Sequence, residues 1–442
     1  MSQLESIPPN APLPPSLWTE SAKPASQTMQ LSHAHLRADV VVIGAGFTGL
    51  SAALQLAETG VDVVVLEAAE LGWGASGRNN GQVIPCLSRA DPDLLLKVFG
   101  AQKGEAFIGL IRDSASTVFD LIRKYGIECE AVQNGWVQPA HRPSRMSLVS
   151  ARCKQWKLRG APVELLDRDQ VTAITGSNYW HGGWQNPTGG HVNPLGLVRG
   201  LAAAAMKFGA RIYTQSPALG ILPAGPNWRV ATRDGVVIAK KVIIATHAYS
   251  STFSNSLWPG LDRTFIPIRS YQMATAPIPE GLRRGILPFN HAMSDTHGDL
   301  HFCRFDSVGR LITGGALVLH NNFEERLQRR IGTRLKDMFP ALCELGPKPF
   351  EHIWHGNLAI TADAVPHVHK LADGVYAWLG CNGRGLALAT AIGGALADVV
   401  KGLPESKSPL PFAALEPIFS HSLAKRVAPF GLLGYRWRDG RD

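Results

Sequence analysis

The stretch DVVVIGAGFTGLSAALQLAETGVDVVVLEA, which starts at Asp39, constrains the fold more than any other part of the chain. Residues 39–43 form a short β-branched run that reads as a buried parallel strand. A helical pattern follows through Leu50, Ala53, Leu54 and Ala57 and ends at Gly60. Residues 61–66 then give a second buried strand. Gly44, Gly46 and Gly49 fall between the first strand and the helix, which is the position where glycines have distinct work. The first permits the tight turn, the second lets backbone approach a pyrophosphate, and the third lets helix pack on strand. Free N–H groups at the helix start, together with the helix dipole, suit a phosphate. Glu67 ends the second strand, where an acid accepts hydrogen bonds from ribose hydroxyls and repels a 2′-phosphate. The unit is therefore predicted to bind a dinucleotide other than NADP, through Gly44, Gly46, Phe47, Thr48, Gly49, Glu67 and Ala68.

Composition narrows the class further. The chain has 442 residues, 45% of them hydrophobic and 18% charged, a globular balance that predicts two or three domains. Its formal charge of +9 is scattered, with no run of five Lys/Arg and no basic stretch interleaved with aromatics. Nucleic acid is accordingly not expected as a partner. Six separated cysteines without a CxxC read as reduced thiols, not as a zinc site or disulfide frame. The N-terminus shows no signal-peptide pattern, and the apolar run 386–397 is too short to span a bilayer. These features together predict a cytoplasmic protein; nothing in them indicates an oligomeric state.

Along the chain, residues 1–37 read as an extended arm that docks through Leu17 or Trp18. Helices are expected near 101–125 and 194–208, and short strands with turns fill 210–250. Residues 262–320 are again β-rich. A basic amphipathic helix follows, with Phe323, Leu327, Ile331 and Leu335 on its apolar side and its charges on a solvated face. The end of the core reads strand, glycine turn, long helix. The fold class predicted is α/β: a Rossmann-like domain from 38–85, 194–261 and 351–402, and a second domain with a mostly antiparallel sheet from 86–193 and 262–350. Residues 403–442 form a C-terminal extension expected to pack back on the surface.

The loop LGWGASGRNNGQVIP favours FAD over NAD, because its small and amide residues allow close backbone approach by an elongated dinucleotide. Ser76, Gly77, Arg78, Asn79, Gly81 and Gln82 carry that reading. The combination GAGFTGLSAALQLAETG, VVLEA and GWGASGRNNGQ resembles the D-amino-acid-oxidase/glycine-oxidase superfamily of FAD-dependent oxidoreductases, nearest its γ-glutamylputrescine oxidase-like branch. Similarity continues through GGHVNPLGLVRG, VIIATHAYS, RLITGGA, WHGNLAITADAVPHV and GCNGRGLA, and so covers nearly all of 38–402. The resemblance adds Ala245, Thr246, Gly383, Arg384, Gly385 and Leu386 to the expected cofactor site. Three positions depart from the family pattern. Asn80 replaces a usual glycine, Arg384 stands where histidine is common, and HGNLAITADAVP lacks the cysteine to which some relatives attach flavin. A noncovalent flavin is therefore expected.

Oxidation of a C–N bond by hydride transfer needs a neutral amine, alignment and exclusion of water. A substrate carboxylate would favour a bidentate arginine. Arg304 and Arg269 are the candidates, while Arg384 would add to the field of the last helix's N-terminus. Tyr271 and Trp354 read more simply as core than as walls around the amine. The paired histidines His352/His355 and His367/His369 have no third ligand, so no metal is expected. There is no GxSxG elbow for hydrolysis. The expected activity is oxidation of a small amine or amino acid to an imine, with O2 as acceptor. A quinone-linked dehydrogenase and a FAD-holding subunit without turnover are the alternatives.

Overall fold

The computed structural model describes residues 11–252, 256–299 and 301–439, so parts of the expected arm and of the C-terminal extension lie outside the described residues. The strand Ala34–Ile43 runs through the first of two large sheets. It pairs in parallel with Val63–Leu66 on one side and Gly235–Ile244 on the other, with Ile43 opposite Leu66 and Ile244. Arg211–Tyr213 extends the sheet beyond Val63–Leu66, and Val375–Leu379 extends it beyond Gly235–Ile244. Parallel strands covered on both faces are apolar throughout, and every residue of Val63–Leu66 and of Val375–Leu379 is buried. The hairpin Gly220–Ala224/Asn227–Ala231 leans against the front half of Gly235–Ile244, as the meander pattern predicts.

Helices Phe47–Glu58 and Leu386–Val400 lie against each other under this sheet. Small residues make their close packing possible: a side chain at Gly393 would meet the Thr48 carbonyl at 2.4 Å. Polar bonds fix the register, from Ser51 to the Thr390 carbonyl at 2.8 Å and from Gln55 to Asp398 at 2.6 Å. Because each helix follows a strand of the same parallel sheet, both N-termini open at its C-terminal edge. That edge is where α/β sheets bind ligands.

The second sheet has eight strands in the order Phe350–Ile360, Ile266–Pro277, Arg310–Gly315, Phe302–Phe305, Ala292–Ser294, Trp136–Pro139, Gly183–Asn186, Glu164–Leu166. All neighbours are antiparallel except Ala292–Ser294 and Trp136–Pro139. Helix Phe323–Met338 covers it with Leu327, Ile331 and Leu335.

Several expectations are corrected. The strand at 39–43 begins five residues earlier, because residues 34–38, with His35 and Arg37 alternating outward, pair with Gly235–Ala239 at a half-exposed end. The helix expected near 101–125 is present and ends at Tyr125, but a shorter helical stretch from Pro92, behind the N-cap Asp91, precedes it across a break at Gly100, φ 75°. Residues 351–360 belong to the second sheet, since Phe350–Ile360 pairs along the length of Ile266–Pro277. Arg334 leaves the solvated face of its helix and is buried, donating to the Gly314 carbonyl. The arm does dock as expected: Leu17 and Trp18 are buried, and the Trp18 indole donates to the Asn79 carbonyl at 2.8 Å.

Candidate active site

The C-terminal edge of the parallel sheet and one face of the second sheet enclose an elongated cavity of about 990 Å³. Its nucleotide end is made by the glycine turn. Gly44 has φ +103°, and a side chain there would meet the Ala245 carbonyl at 2.9 Å. A Cβ on Gly46 would meet the Ser76 hydroxyl at 2.8 Å. Gly49 fails more severely, its Cβ lying 1.9 Å from the Gly44 carbonyl oxygen. Helix Phe47–Glu58 gets no side-chain cap from Gly46 and has no acid in its first turn; its Phe47 N–H donates to the Ser76 hydroxyl at 3.1 Å, and its positive end faces the cavity.

Glu67 receives the Ala45 N–H at 2.7 Å and the Ala69 N–H at 3.1 Å, which fixes its carboxylate at the cavity wall. Burial pushes its carboxyl above the ordinary value, against the pull of these backbone donors. Around it the cavity is lined by Gly44, Gly46, Phe47, Thr48, Ala68, Ser76, Arg78, Asn79, Gln82, Ala245 and Thr246, each expected from sequence. An open helix N-terminus, a side-chain-free backbone cradle and a wall carboxylate suit an elongated dinucleotide such as FAD.

Three expected cofactor residues sit off the cavity. Gly49 packs helix on turn. Gly77 packs on Gly72, and Gly81 packs on Val192, where Cβ atoms would lie 2.1 and 2.0 Å from carbonyl oxygens. Their role in the geometry is close packing of the loop, and none is a lining residue. Arg78 lines the cavity, yet its guanidinium is engaged by the His355 carbonyl and the Tyr249 hydroxyl and stacks over Trp73 at 4.6 Å. The Gln82 side chain donates to the Met293 carbonyl at 3.0 Å, tying the loop to the second sheet.

Arg304 is corrected. It is buried and donates to the carbonyls of Asn80 (2.6 Å), Phe305 (2.9 Å) and Val192 (2.8 Å). It faces away from the cavity and stacks over Trp18 at 5.0 Å, so it buttresses the loop instead of meeting a substrate. Arg269 does line the cavity, half-exposed. Tyr271 and Trp354 are core, the Trp354 indole donating to the Arg78 carbonyl at 2.8 Å.

Arg384 lies at the far end. The turn before it is held by Asn382, in the left-handed region at φ 50°, whose side chain bridges Thr361 and the Gly380 carbonyl. Gly383, Arg384, Gly385 and Leu386 all line the cavity. Nη1 of Arg384 donates to the Cys86 sulfur at 2.8 Å and the Leu87 carbonyl at 3.0 Å. Its Nε and Nη2 find no acceptor among the described residues and are closed off from solvent, its guanidinium lies over the Trp136 ring at 4.7 Å, and burial lowers its pKa. A desolvated guanidinium with two unpaired donors gives this end of the cavity a positive field.

Sequence reading missed the opposite wall. Asp295 is fully buried, and its carboxylate accepts from His297 Nδ1 at 2.7 Å. Burial would raise the Asp295 carboxyl, but the neighbouring His301 and His297 hold it below its usual range. The rings of His141, His297 and His301 form one stack, each adjacent pair 3.7 Å apart. Of these rings His297 lines the cavity, and its Nε2 bonds to no protein atom among the described residues. The signal Asp-x-His-x3-His was present in SDTHGDLH. Asp295, His297 and His301 bring possible ligand atoms within 4.8 Å of one another. A metal held between His297 and His301 would nonetheless sit well out of both ring planes, roughly half of their 3.7 Å separation from each. Imidazole binds metals through an in-plane lone pair, so these stacked rings do not fit one.

The C-terminal extension packs against the cavity. It is a strap across the cavity mouth, made of helices His421–Val427 and Gly431–Asp439, with Lys425, Leu432 and Tyr435 among its lining residues. His421 fastens one end to the Phe265 carbonyl at 2.8 Å. Asp439 receives the Gly298 N–H at 2.7 Å and Arg436 pairs with Asp299 at 3.1 Å, fastening the other.

The family described as FAD dependent oxidoreductase (DAO) matches residues 39–399. Gamma-glutamylputrescine oxidoreductase of Escherichia coli (strain K12) is 31% identical over 365 residues, covering 82% of this chain and 84% of the relative. A probable oxidoreductase OrdL of Haemophilus influenzae is 29% identical, covering 93% of both chains. Among solved structures, glycine oxidase from Geobacillus kaustophilus superposes with a TM-score of 0.70 at 20% identity, covering 87% of this chain and 100% of its own. L-proline dehydrogenase from P. horikoshii gives 0.71 at 19% identity, covering 86% and 98%. At these identities the structures speak for the fold. No helix among the described residues is long and apolar enough to cross a membrane.

Proposed function

The chain belongs to the DAO family of FAD-dependent oxidoreductases, an enzyme acting on amines or amino acids, and from that premise we propose how its residues divide the work. FAD, when bound, accepts a hydride from the carbon beside nitrogen and passes the electrons onward. The turn Gly44–Gly46 with the open helix N-terminus takes the pyrophosphate, and Glu67 takes a ribose. Ser76, Arg78, Asn79, Gln82, Ala245 and Thr246 line the channel along which the cofactor extends. Noncovalent attachment is supported by Cys381, the cavity cysteine, whose thiol burial holds protonated.

The substrate proposed is an amine carrying a carboxylate, as γ-glutamyl-polyamines, cyclic imino acids, N-methyl amino acids and D-amino acids do. The single observation that carries this is Arg384: two buried, idle N–H groups at the cavity wall. Arg384 orients the carboxylate. Asp295 holds His297 with Nδ1 as donor, which leaves Nε2 to take the proton an ammonium substrate must lose before oxidation. The C-terminal strap excludes water from the mouth. O2 is the acceptor we assign, and the cytoplasm is the compartment, consistent with six unpaired cysteines.

Anaerobic titration of the yellow holoenzyme tests this reading. Amines with a carboxylate, γ-glutamylputrescine and pipecolate among them, should bleach the flavin band, and the matched amines without one should do so far more slowly. Equal bleaching by both sets would remove Arg384 from substrate recognition.

A further inference from the structure

We propose that the C-terminal strap completes a second anion site at the cavity mouth, where Arg438 of the strap and Arg89 of the core receive a substrate carboxylate remote from the carbon that is oxidised. It rests on the proposed assignment of Arg384 and His297 to the reacting end. The strap leaves Phe419, Leu423, Val427, Phe430, Leu433 and Trp437 exposed, yet gives the cavity Lys425, Tyr435 and Arg438. Its described acid, Asp439, is turned to the Gly298 N–H and is not a lining residue. A Cβ on Gly298 would lie 2.7 Å from the Tyr435 ring, so the missing side chain lets that ring lie against the loop that carries His297. Arg89 donates to the Tyr435 hydroxyl at 2.5 Å, and its guanidinium carbon is 4.5 Å from the ring centroid. That of Arg438 is 5.1 Å from the same centroid.

Two guanidiniums gathered on one ring repel each other, and among the described residues no acid pairs with Arg89, Arg438 or Lys425. The acids that line the cavity are committed elsewhere. Glu67 receives two backbone N–H groups at the nucleotide end, and Asp295 holds His297. Asp299 pairs with Arg330 at 2.6 Å and Arg436 at 3.1 Å, and neither of these arginines lines the cavity. The mouth is therefore a cationic cleft, which concentrates anions. A guanidinium stacked on an aromatic ring keeps its in-plane N–H groups for a carboxylate, and those of Arg438 donate to no described residue. The segment before Arg89 ties this site to the other one: Arg384 donates to the Leu87 carbonyl at 3.0 Å, and the Ser88 hydroxyl to the Asn382 carbonyl at 2.5 Å. Leu87 and Arg89 are two residues apart, a reach of ~7 Å, which suits a short dicarboxylate. The substrate class that follows is an amine bearing two carboxylates.

Glutardiamide, glutaramate and glutarate present no, one and two carboxylates on the same carbon chain. Each is titrated into the yellow holoenzyme at ~0.05 M salt, and Kd is read from the change in flavin absorption. Glutarate is expected to bind about tenfold tighter than glutaramate, and salt should erase the gain. In Arg89→Gln/Arg438→Gln the gain should vanish while the affinities for glutaramate and FAD stay as they were. Arg426→Gln, on the exposed side of the strap and outside the cavity lining, should behave as wild type. Equal binding of glutarate and glutaramate, a gain that survives the double variant, or a flavin that glutarate does not perturb would each overturn the proposal. So would a double variant that weakens all three ligands alike, which assigns the arginines to holding the strap, or one that weakens FAD, which assigns them to the cofactor. Equal binding of glutardiamide and glutaramate, with a gain confined to glutarate, would keep the mouth site and remove the carboxylate assigned to Arg384 instead.

Discussion

Arg304 donates its Nε to the Asn80 carbonyl at 2.6 Å, which joins a strand of the second sheet to the loop at the cofactor channel. The cation thus supports cofactor binding from behind. Replacement by Met leaves the carbonyls of Asn80, Phe305 and Val192 buried without donors. We expect a loss of about 3 kcal/mol or more of stability, with weaker FAD retention. Thermal unfolding and flavin titration of Arg304→Met check both, and kinetics on the flavin-saturated variant should be nearly normal.

Gly49→Ala and Gly46→Ala separate packing from binding. The Gly49 methyl would collide with backbone, so this variant should lose about 2 kcal/mol or more of stability. At Gly46 the obstacle is the Ser76 side chain, which can rotate. Gly46→Ala should therefore fold but bind FAD more weakly, as comparison of melting curves with flavin titrations will show.

Arg384→Gln should lower kcat/KM about a hundredfold for carboxylate-bearing amines and far less for amines without one. Stopped-flow reduction of the flavin distinguishes the two. A uniform decrease across both classes would instead assign Arg384 to the electrostatics of the cofactor.

His297→Gln should slow flavin reduction at neutral pH by about a hundredfold or more while leaving stability and FAD affinity intact. Its rate should then climb with pH as the free amine forms in solution. A parallel pH profile for variant and wild type would exclude His297 as proton acceptor.

Acid should destabilise the fold through its buried histidines. Burial depresses His141, His247 and His355 to about 4 and His191 to about 3. Between an unfolded value near ~6.5 and these folded values, the unfolded chain binds more protons. Stability is therefore full above that unfolded value and falls as pH drops towards 4. His247 matters most for the site, because its Nε2 accepts the Cys381 N–H at 3.1 Å just before the Arg384 turn. Melting temperature and bound flavin, followed from pH 7.5 to 4.5, should decline together.

What was legible in the chain was local. The turn Gly44–Gly49 and Glu67 could be read because strand, turn, helix and strand follow within thirty residues, and each has its own signature. Arg304 could not be read, because alternation along HFCRF says which face it takes but not that three carbonyls wait there. The strap was opaque for a different reason: its outward stripe is apolar, so periodicity marks the wrong face as the packed one. Asp295 and His297 were visible as a motif but not as cavity residues, since their position depends on a pairing with Trp136–Pro139, more than 150 residues earlier.

The central parallel sheet has a consequence for how the protein is made. Ala34–Ile43 needs Gly235–Ile244 beside it, and that strand in turn needs Val375–Leu379, whose following helix brings Arg384. A ribosome reaches the last of these strands some 330 residues after the first. At ~5–20 residues per second the nascent chain waits roughly 15 to 65 seconds with an apolar strand edge unpaired. The parallel sheet beneath the cavity is completed only once Val375–Leu379 has emerged, and truncation before Val375 removes a strand whose Trp378 lines that cavity.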